Sequence, residues 1–129
     1  MKKILIIEDD AVTAKVYASL LARNGYGVQV AASIRAGVEQ MTEFQPDGVL
    51  LDLRLPDSSG MDFLKSVRAN DQYKDLPIIV YTNLFVPGMT ESAAAAGATK
   101  VYDKGTVTPT TIVDTFAGYL RKKDQAEAA

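Results

Sequence analysis

Short aliphatic runs alternate along the chain with segments in which apolar residues recur every three or four positions. The runs lie at residues 4–7, 28–32, 48–51, 78–81 and 101–103. Because they are nearly continuous rather than alternating, they indicate strands of a parallel sheet that helices cover on both faces. The pattern predicts five βα units, which right-handed crossovers arrange as one open, doubly wound α/β domain.

Local signals mark the ends of the predicted helices. Ser33 and Ser59 stand at N-cap positions, and Thr108-Pro109 places proline at the first helical position. Asn24-Gly25 and Gly97 are typical of helix C-termini. The predicted apolar stripes are Val12, Val16, Leu20 and Leu21 in the first helix, Ile34, Val38 and Met41 in the second, Phe63, Leu64 and Val67 in the third, and Ile112, Phe116 and Leu120 in the last.

Composition excludes several kinds of chemistry. The 129 residues include no cysteine and no histidine, so the chain forms no disulfide, thiolate site or phosphohistidine. A net charge of −2 gives no sign of a nucleic-acid surface, and no apolar window reaches transmembrane length. We therefore predict a cytoplasmic protein without direct nucleic-acid or membrane binding, with one domain over residues 1–121 and a polar tail or linker start at 122–129.

Four of the five runs end in side chains that carry chemistry. Because the carboxyl ends of parallel strands share one edge of the sheet, we expect these side chains to converge in one cleft. They are Glu8 and Asp9 after the first run, Asp52 after the third, Thr82 after the fourth and Lys104 after the fifth. The neighbouring acids Asp10 and Asp57 have simpler interpretations, as a helix cap and as a turn residue.

The acids of this set indicate a divalent cation. Glu8, Asp9 and Asp52 would repel one another if brought together without one, and hard oxygen ligands suit Mg²⁺. A backbone carbonyl at Arg54 is a candidate further ligand.

The rest of the set fits phosphoryl transfer. A carboxylate can act as a nucleophile and form an aspartyl phosphate. Lys104 would then offset the charge of the phosphoryl oxygens, and the Thr82 hydroxyl would donate a hydrogen bond to one of them. Such transfer asks a protein mainly for positioning and charge stabilisation, so this short set is sufficient.

Four segments together resemble a response-regulator receiver domain of the chemotaxis-regulator type. They are ILIIEDD at 4–10, DLRLPDSSG at 52–60, PIIVYT at 77–82 and GATKVYDK at 97–104. The resemblance implies a five-stranded parallel sheet in the order 2-1-3-4-5. It also implies that Asp52 accepts a phosphoryl group with Mg²⁺ held by Glu8, Asp9 and Asp52, while Thr82 and Lys104 contact that group.

The resemblance further implies partners. The donor would be a sensor histidine kinase or a phosphotransfer protein, and the receiver of the signal a downstream protein or a fused output domain. A second copy of the chain is another candidate partner. Phosphorylation would change the surface around the fourth helix, fifth strand and fifth helix, and the apolar residues 84–86 are expected to belong to it.

Three positions depart from the family pattern. Asn83 follows the threonine where a small residue is usual, Val101 stands where a switch aromatic is usual, and Gly105 replaces a cis-proline after the lysine. Tyr102 should point to the opposite face from Val101, because side chains alternate along a strand. We therefore expect slow gain and slow loss of the phosphoryl group, a mobile loop at Lys104 and weak coupling to the fourth helix.

Two other functions compete with the switch. One is a phosphohydrolase that works through an aspartyl phosphate, but the haloacid-dehalogenase type needs a second acid where Arg54 stands. The other is a phosphorylation-independent interaction module with the receiver fold. The sequence favours the signalling switch, which is not a turnover enzyme.

Overall fold

The computed structural model describes residues 1–55, 59–83 and 86–128, with the backbone alone for 122–128. Asp57, Leu84 and Phe85 of the sequence-based predictions lie outside the described residues. The elements are β1 (Lys3–Ile7), α1 (Ala11–Arg23), β2 (Gly27–Ala31), α2 (Ile34–Glu43), β3 (Gly48–Asp52), α3 (Gly60–Arg68), a 3-10 turn (Asp71–Tyr73), β4 (Ile78–Thr82), α4 (Met89–Ala96), β5 (Lys100–Asp103) and α5 (Pro109–Ala128). In this part of the chain, no helix has both the length and the apolar character needed to cross a membrane.

The five strands form one parallel sheet in the order β2-β1-β3-β4-β5, which confirms the predicted fold and strand order. Ile4 lies opposite Gly48, and Leu51 lies opposite Val80, so β1, β3 and β4 end side by side. The chain winds one way from β1 to β2 and the other way from β3 onward. The switch point at the carboxyl ends of β1 and β3 is therefore where a ligand site is expected.

Side-chain alternation along the strands separates two apolar layers. Ile4, Ile6, Leu50, Ile79 and Tyr81 pack on the α1 and α5 side. Their strand neighbours pack against α2, α3 and α4 on the other side. The predicted burial on both faces is confirmed for β1, β3 and β4, whereas the edge strand β2 is partly open, since Val30 is 43% exposed.

Two of the predicted apolar stripes were wrong in part. Helix α1 buries Ala14, Tyr17 and Leu21, a face spaced by three and four residues, and leaves Val12 72% exposed and Val16 47% exposed. The two valines lie beyond the edge of the sheet, where the first turns of α1 border a cavity instead of the core.

The error in α2 has a different cause. Val38 is 55% exposed, because the helix meets the sheet at Gly37. A Cβ there would lie 2.8 Å from Ile7 Cδ1, so this close approach turns the next residue outward. The stripes predicted for α3 and α5 are confirmed as buried.

The predicted caps are present. The side chains of Asp10, Ser33 and Ser59 accept hydrogen bonds from backbone N–H groups in the first turns of α1, α2 and α3. These bonds satisfy donors that a helix start leaves without an intrahelical partner. Pro109 opens α5 as predicted, and Gly97 ends α4 with a φ of 117°.

Arg68 ties α3 to the segment that leads into β5. Its guanidinium donates to the carbonyls of Gly97 at 2.8 Å and Tyr73 at 2.6 Å, and to Thr99 Oγ1 at 3.2 Å. Thr99 Oγ1 also accepts from the Ile78 N–H at 2.9 Å. One side chain thus links α3, the end of α4 and the start of β4.

Gly97→Ala should destabilise the fold by about 1–3 kcal/mol, because a left-handed residue with a side chain is strained. The new Cβ would also lie 2.3 Å from Arg68 Cγ. Gly118→Ala is the matched control, because Gly118 lies in α5 and an added Cβ would meet no atom within 4 Å beyond its chain neighbours and the backbone of its own helix. Helix propensity should make that variant roughly 0.5–1 kcal/mol more stable. Urea unfolding measures both changes, and equal stabilities of the two variants would contradict the account of Gly97.

Candidate functional site

A cavity of about 590 Å³ opens at the carboxyl ends of β1, β3 and β4, at the switch point of the sheet. Alternation along the strands places Glu8, Asp52 and Tyr81 on the α1 and α5 side, and the loop after β5 brings Lys104 to them. The described residues that line the cavity are Glu8, Asp9, Asp10, Val12, Thr13, Val16, Tyr17, Asp52, Arg54, Asn83, Lys104, Val107 and Pro109. The predicted convergence of acids and lysine is thus present in the structure.

The three predicted acids form one cluster. One carboxylate oxygen each of Glu8, Asp9 and Asp52 lies within 4.8 Å of the others. Glu8 is 1% exposed and Asp52 is 4% exposed, whereas Asp9 is open to solvent. Hard oxygen donors at this spacing, with one of them facing water, fit a small divalent cation that keeps several of its waters.

Lys104 bridges the two buried acids. Its Nζ forms an ion pair with Glu8 Oε1 and donates to Asp52 Oδ2 at 3.1 Å. Burial lowers the pKa of Lys104, but the hydrogen bonds to Glu8 and Asp52 outweigh it and raise the pKa overall. The ammonium therefore stays charged and balances the carboxylates of the cluster.

Backbone donors hold the other oxygens of these acids. The Asp10 N–H donates to Glu8 Oε2 at 3.2 Å, and the Arg54 N–H donates to Asp52 Oδ1 at 3.0 Å. Both carboxylates are thus fixed from two sides. Arg54 lines the cavity; the use of its carbonyl as a metal ligand stays a prediction.

Tyr81 is the site residue that sequence reasoning missed. Its hydroxyl donates to Glu8 Oε1 at 2.8 Å, and its ring lies edge-on to Tyr17 with centroids 5.3 Å apart. Lys104 Nζ sits 4.9 Å from the centroid of the same ring. Burial, and then the charge of Glu8, raise the pKa of Tyr81, so the hydroxyl stays protonated and donates. The sequence did offer one signal for this role, because Tyr81 is a tyrosine at the end of an aliphatic run, directly before the predicted site residue Thr82.

Thr82 differs from the rest of the predicted set. It is fully buried, alternation turns it toward the α3 and α4 side, and it is not among the described residues that line the cavity. Its backbone carbonyl accepts from the Lys104 N–H at 3.0 Å, which joins the two loops. Contact between its hydroxyl and a phosphoryl group stays a prediction.

Strand β5 has the predicted division of faces. Val101 packs against the layer beneath α3 and α4, whereas Tyr102 packs on the α5 side. The Tyr102 hydroxyl is hydrogen-bonded to Thr115 Oγ1 in α5 at 2.6 Å. The Gly105 N–H donates to Asp103 Oδ1 at 2.9 Å; the mobility of this loop stays a prediction.

Comparison with known proteins gives relatives that are response regulators or transcriptional regulators. The polar-differentiation response regulator DivK of Brucella anthropi is 24% identical over 119 residues, which are 92% of this chain and 96% of DivK. The phosphate regulon transcriptional regulatory protein PhoB of Escherichia coli is 32% identical over 81 residues, which are 63% of this chain. That match spans 35% of PhoB, so the likeness concerns one part of that protein.

Solved structures agree in fold. The chemotaxis response regulator CheY4 of Vibrio cholerae superposes with a TM-score of 0.83 at 28% identity, over 92% of this chain and 98% of CheY4. The BeF3-activated N-terminal receiver domain of Klebsiella pneumoniae RstA gives 0.84 at 28% identity, over 93% and 99%. The model of the response regulator receiver domain matches residues 4–116. This chain therefore belongs to the response regulator receiver domain family.

Proposed function

We propose that this chain is a switch that accepts a phosphoryl group on Asp52 from a sensor histidine kinase or a phosphotransfer protein. The observation that carries the proposal is the charge arrangement at the cavity. Asp52 is a buried carboxylate whose neighbour, Lys104, is a cation in hydrogen-bonding contact with it. Because these 129 residues contain no histidine, the phosphohistidine that donates the group would lie outside them.

In the transfer step, a carboxylate oxygen of Asp52 attacks phosphorus. The new O–P bond forms as the P–N bond of the donor breaks, and the imidazole leaves with the electron pair of that bond. The Arg54 N–H holds Asp52 Oδ1 and so orients the carboxylate. Lys104, which already donates to Asp52 Oδ2, would balance the added charge of the new phosphoryl oxygens, and Thr82 would donate to one of them.

The acids Glu8, Asp9 and Asp52, with the Arg54 carbonyl, would hold Mg²⁺. When bound, the ion would neutralise charge on the phosphoryl oxygens. Asp9 is the exposed member of the cluster, so it is the carboxylate that meets a cation arriving from solvent. Glu8 is already bonded to Tyr81 and Lys104, so it contributes mainly a fixed negative charge.

The alternative of an interaction module that works without phosphorylation has one observation in its favour. Tyr102 points toward α5 and is bonded there to Thr115, and the short Val101 faces the α4 side. The aromatic movement expected in the family has no ring at Val101 to carry it. The phosphohydrolase alternative is disfavoured, because the cavity presents Arg54 where a second acid is needed.

The proposal extends to partners and place of action. The receiver unit would comprise residues 1–121 and act in the cytoplasm on a downstream protein, a fused output domain or a second copy of the chain. The output surface would include α4, β5 and α5 together with residues 84–86, of which Val86 is described and is 50% exposed.

Asp52→Asn should abolish uptake of phosphate from acetyl phosphate in the presence of Mg²⁺, because the neutral amide oxygen is a far poorer nucleophile than a carboxylate oxygen. Asp75→Asn is the matched control, because it changes an exposed carboxylate that does not line the cavity. Intact mass spectrometry should find a single added phosphate on the parent and the control. Full labelling of Asp52→Asn would refute the assignment of the acceptor.

Asp9→Ala should weaken Mg²⁺ binding about tenfold or more, since the ion has few protein ligands. The metal-free protein should be as stable as the parent or more stable, because one of three clustered negative charges is gone. Asp10→Ala is the matched control: it should keep Mg²⁺ affinity but lose roughly 1 kcal/mol with the α1 cap. Titration calorimetry measures the Mg²⁺ affinity, and thermal melts in EDTA measure the metal-free stability. A clear loss of metal-free stability in Asp9→Ala would mean that Asp9 has a structural role.

Asn83→Ala should speed both gain and loss of the phosphoryl group. Asn83 lines the cavity and is exposed, so its side chain narrows the path of donor and attacking water. Time courses of intact mass, during phosphorylation and after removal of the donor, measure both rates. If the variant reacts no faster than the parent in either direction, the rate is set elsewhere.

A further inference from the structure

One oxygen of the site accepts from two side chains of different character. Glu8 Oε1 pairs with the Lys104 ammonium and accepts from the Tyr81 hydroxyl at 2.8 Å. The lysine is a long chain that ends at the cavity, with flexible torsions. The tyrosine is fully buried, and its ring is packed edge-on against Tyr17.

We propose that Tyr81 is a positioning residue that holds Glu8 in place while Lys104 moves from Glu8 to the phosphoryl group. The inference rests on the proposed function, because it concerns what happens when Asp52 is phosphorylated. Lys104 cannot serve Glu8, Asp52 and three new phosphoryl oxygens equally well. The contact with Glu8 is the one that phosphorylation weakens, since the new charge appears on Asp52.

If Lys104 moves away, Glu8 would be a buried carboxylate without its neighbouring cation. Glu8 is 1% exposed, so water has little access to replace the lost ammonium. Its Oε2 keeps the bond from the Asp10 N–H, but among the described residues Oε1 keeps a donor only through Tyr81. A buried charged oxygen without a donor is costly, and a hydrogen bond to a charged group is among the stronger ones.

The ring of Tyr81 contributes a second effect. Lys104 Nζ lies 4.9 Å from its centroid, so the negative face of the ring attracts the ammonium independently of the acids. Because this attraction does not depend on Glu8, a weaker contact between Lys104 and Glu8 does not by itself remove it. Hydroxyl and ring thus stabilise the two partners of an ion pair after the pair separates.

Tyr81→Phe tests this, because it removes the hydroxyl and keeps the ring. At saturating Mg²⁺, the beryllofluoride concentration for half-saturation should rise about tenfold or more, the loss expected for one hydrogen bond to a charged group. The Mg²⁺ dissociation constant without beryllofluoride should change less than about threefold, because Lys104 then still serves Glu8 Oε1. A merely structural role of Tyr81 would weaken the binding of both ligands, whereas the proposed role weakens beryllofluoride binding and leaves Mg²⁺ binding nearly unchanged.

Tyr102→Phe is the matched control. Tyr102 is the partner of Tyr81 in the register of β4 and β5, on the same face of the sheet, and its hydroxyl bonds Thr115 instead of the site. Both dissociation constants of this variant should equal those of the parent. Parallel losses in the two tyrosine variants would mean a general effect of packing and would overturn the proposal.

A double-mutant cycle with Glu8→Gln tests the route through Glu8. The neutral amide has no charge to be compensated, so adding Tyr81→Phe to that variant should weaken beryllofluoride binding by less than about threefold. An undiminished effect of Tyr81→Phe in this background would overturn the proposal.

A further test uses NMR on the unsubstituted protein, so its result does not depend on whether a variant folds. The hydroxyl proton of Tyr81, assigned through its ring, should stay protected from exchange and downfield in NMR spectra after saturation with Mg²⁺ and beryllofluoride. Its loss in that state would overturn the role of Tyr81. If the parent takes up no beryllofluoride, the proposed function and this inference are both refuted. If the parent binds beryllofluoride and the Tyr81→Phe variant binds it equally well, the inference alone is refuted.

Discussion

The ion pair of Lys104 with Glu8 and Asp52 is the interaction on which the site depends. Two carboxylates buried at the ends of adjacent parallel strands repel each other strongly in a medium that water does not screen. Lys104 reaches them from β5, beyond β4, and supplies the compensating charge. A cation or phosphoryl group that enters the cavity would therefore compete with Lys104 for the same carboxylate oxygens.

The parallel sheet separates the residues around this ion pair onto its two faces. Glu8, Asp52 and Tyr81 share one face with the layer under α1 and α5, whereas Thr82 and Val101 belong to the layer under α3 and α4. The acids and α5 thus lie on one side of the sheet, whereas α4, the other helix of the expected output surface, lies on the opposite side. The Lys104 N–H bonded to the Thr82 carbonyl is the described backbone link between the two loops.

The sequence predicted the fold and the acids because both follow from short-range patterns. Aliphatic runs of strand length set the sheet, and the polar residue that ends each run lies at its edge regardless of the details of packing. Tyr81 escaped notice because its bond joins residues 73 apart, and only the register of β1, β3 and β4 brings them together. Val12 and Val16 were misassigned because an apolar stripe cannot distinguish a core from the wall of a cavity.

Strand β5 departs from the family pattern at Val101, where an aromatic residue is usual. A ring that moves between two positions needs space on its own face of the sheet, and Val101 offers the α4 side only a short, stiff side chain. The one aromatic residue of β5 is bonded to Thr115 on the other face, where α5 holds it. A signal from Asp52 toward α4 would then depend on the loops of Thr82 and Lys104, because β5 has no ring on that face. In its proposed role, Tyr81 supports that route, because its hydroxyl would keep a hydrogen bond to Glu8 while the Lys104 side chain is drawn toward the phosphoryl group.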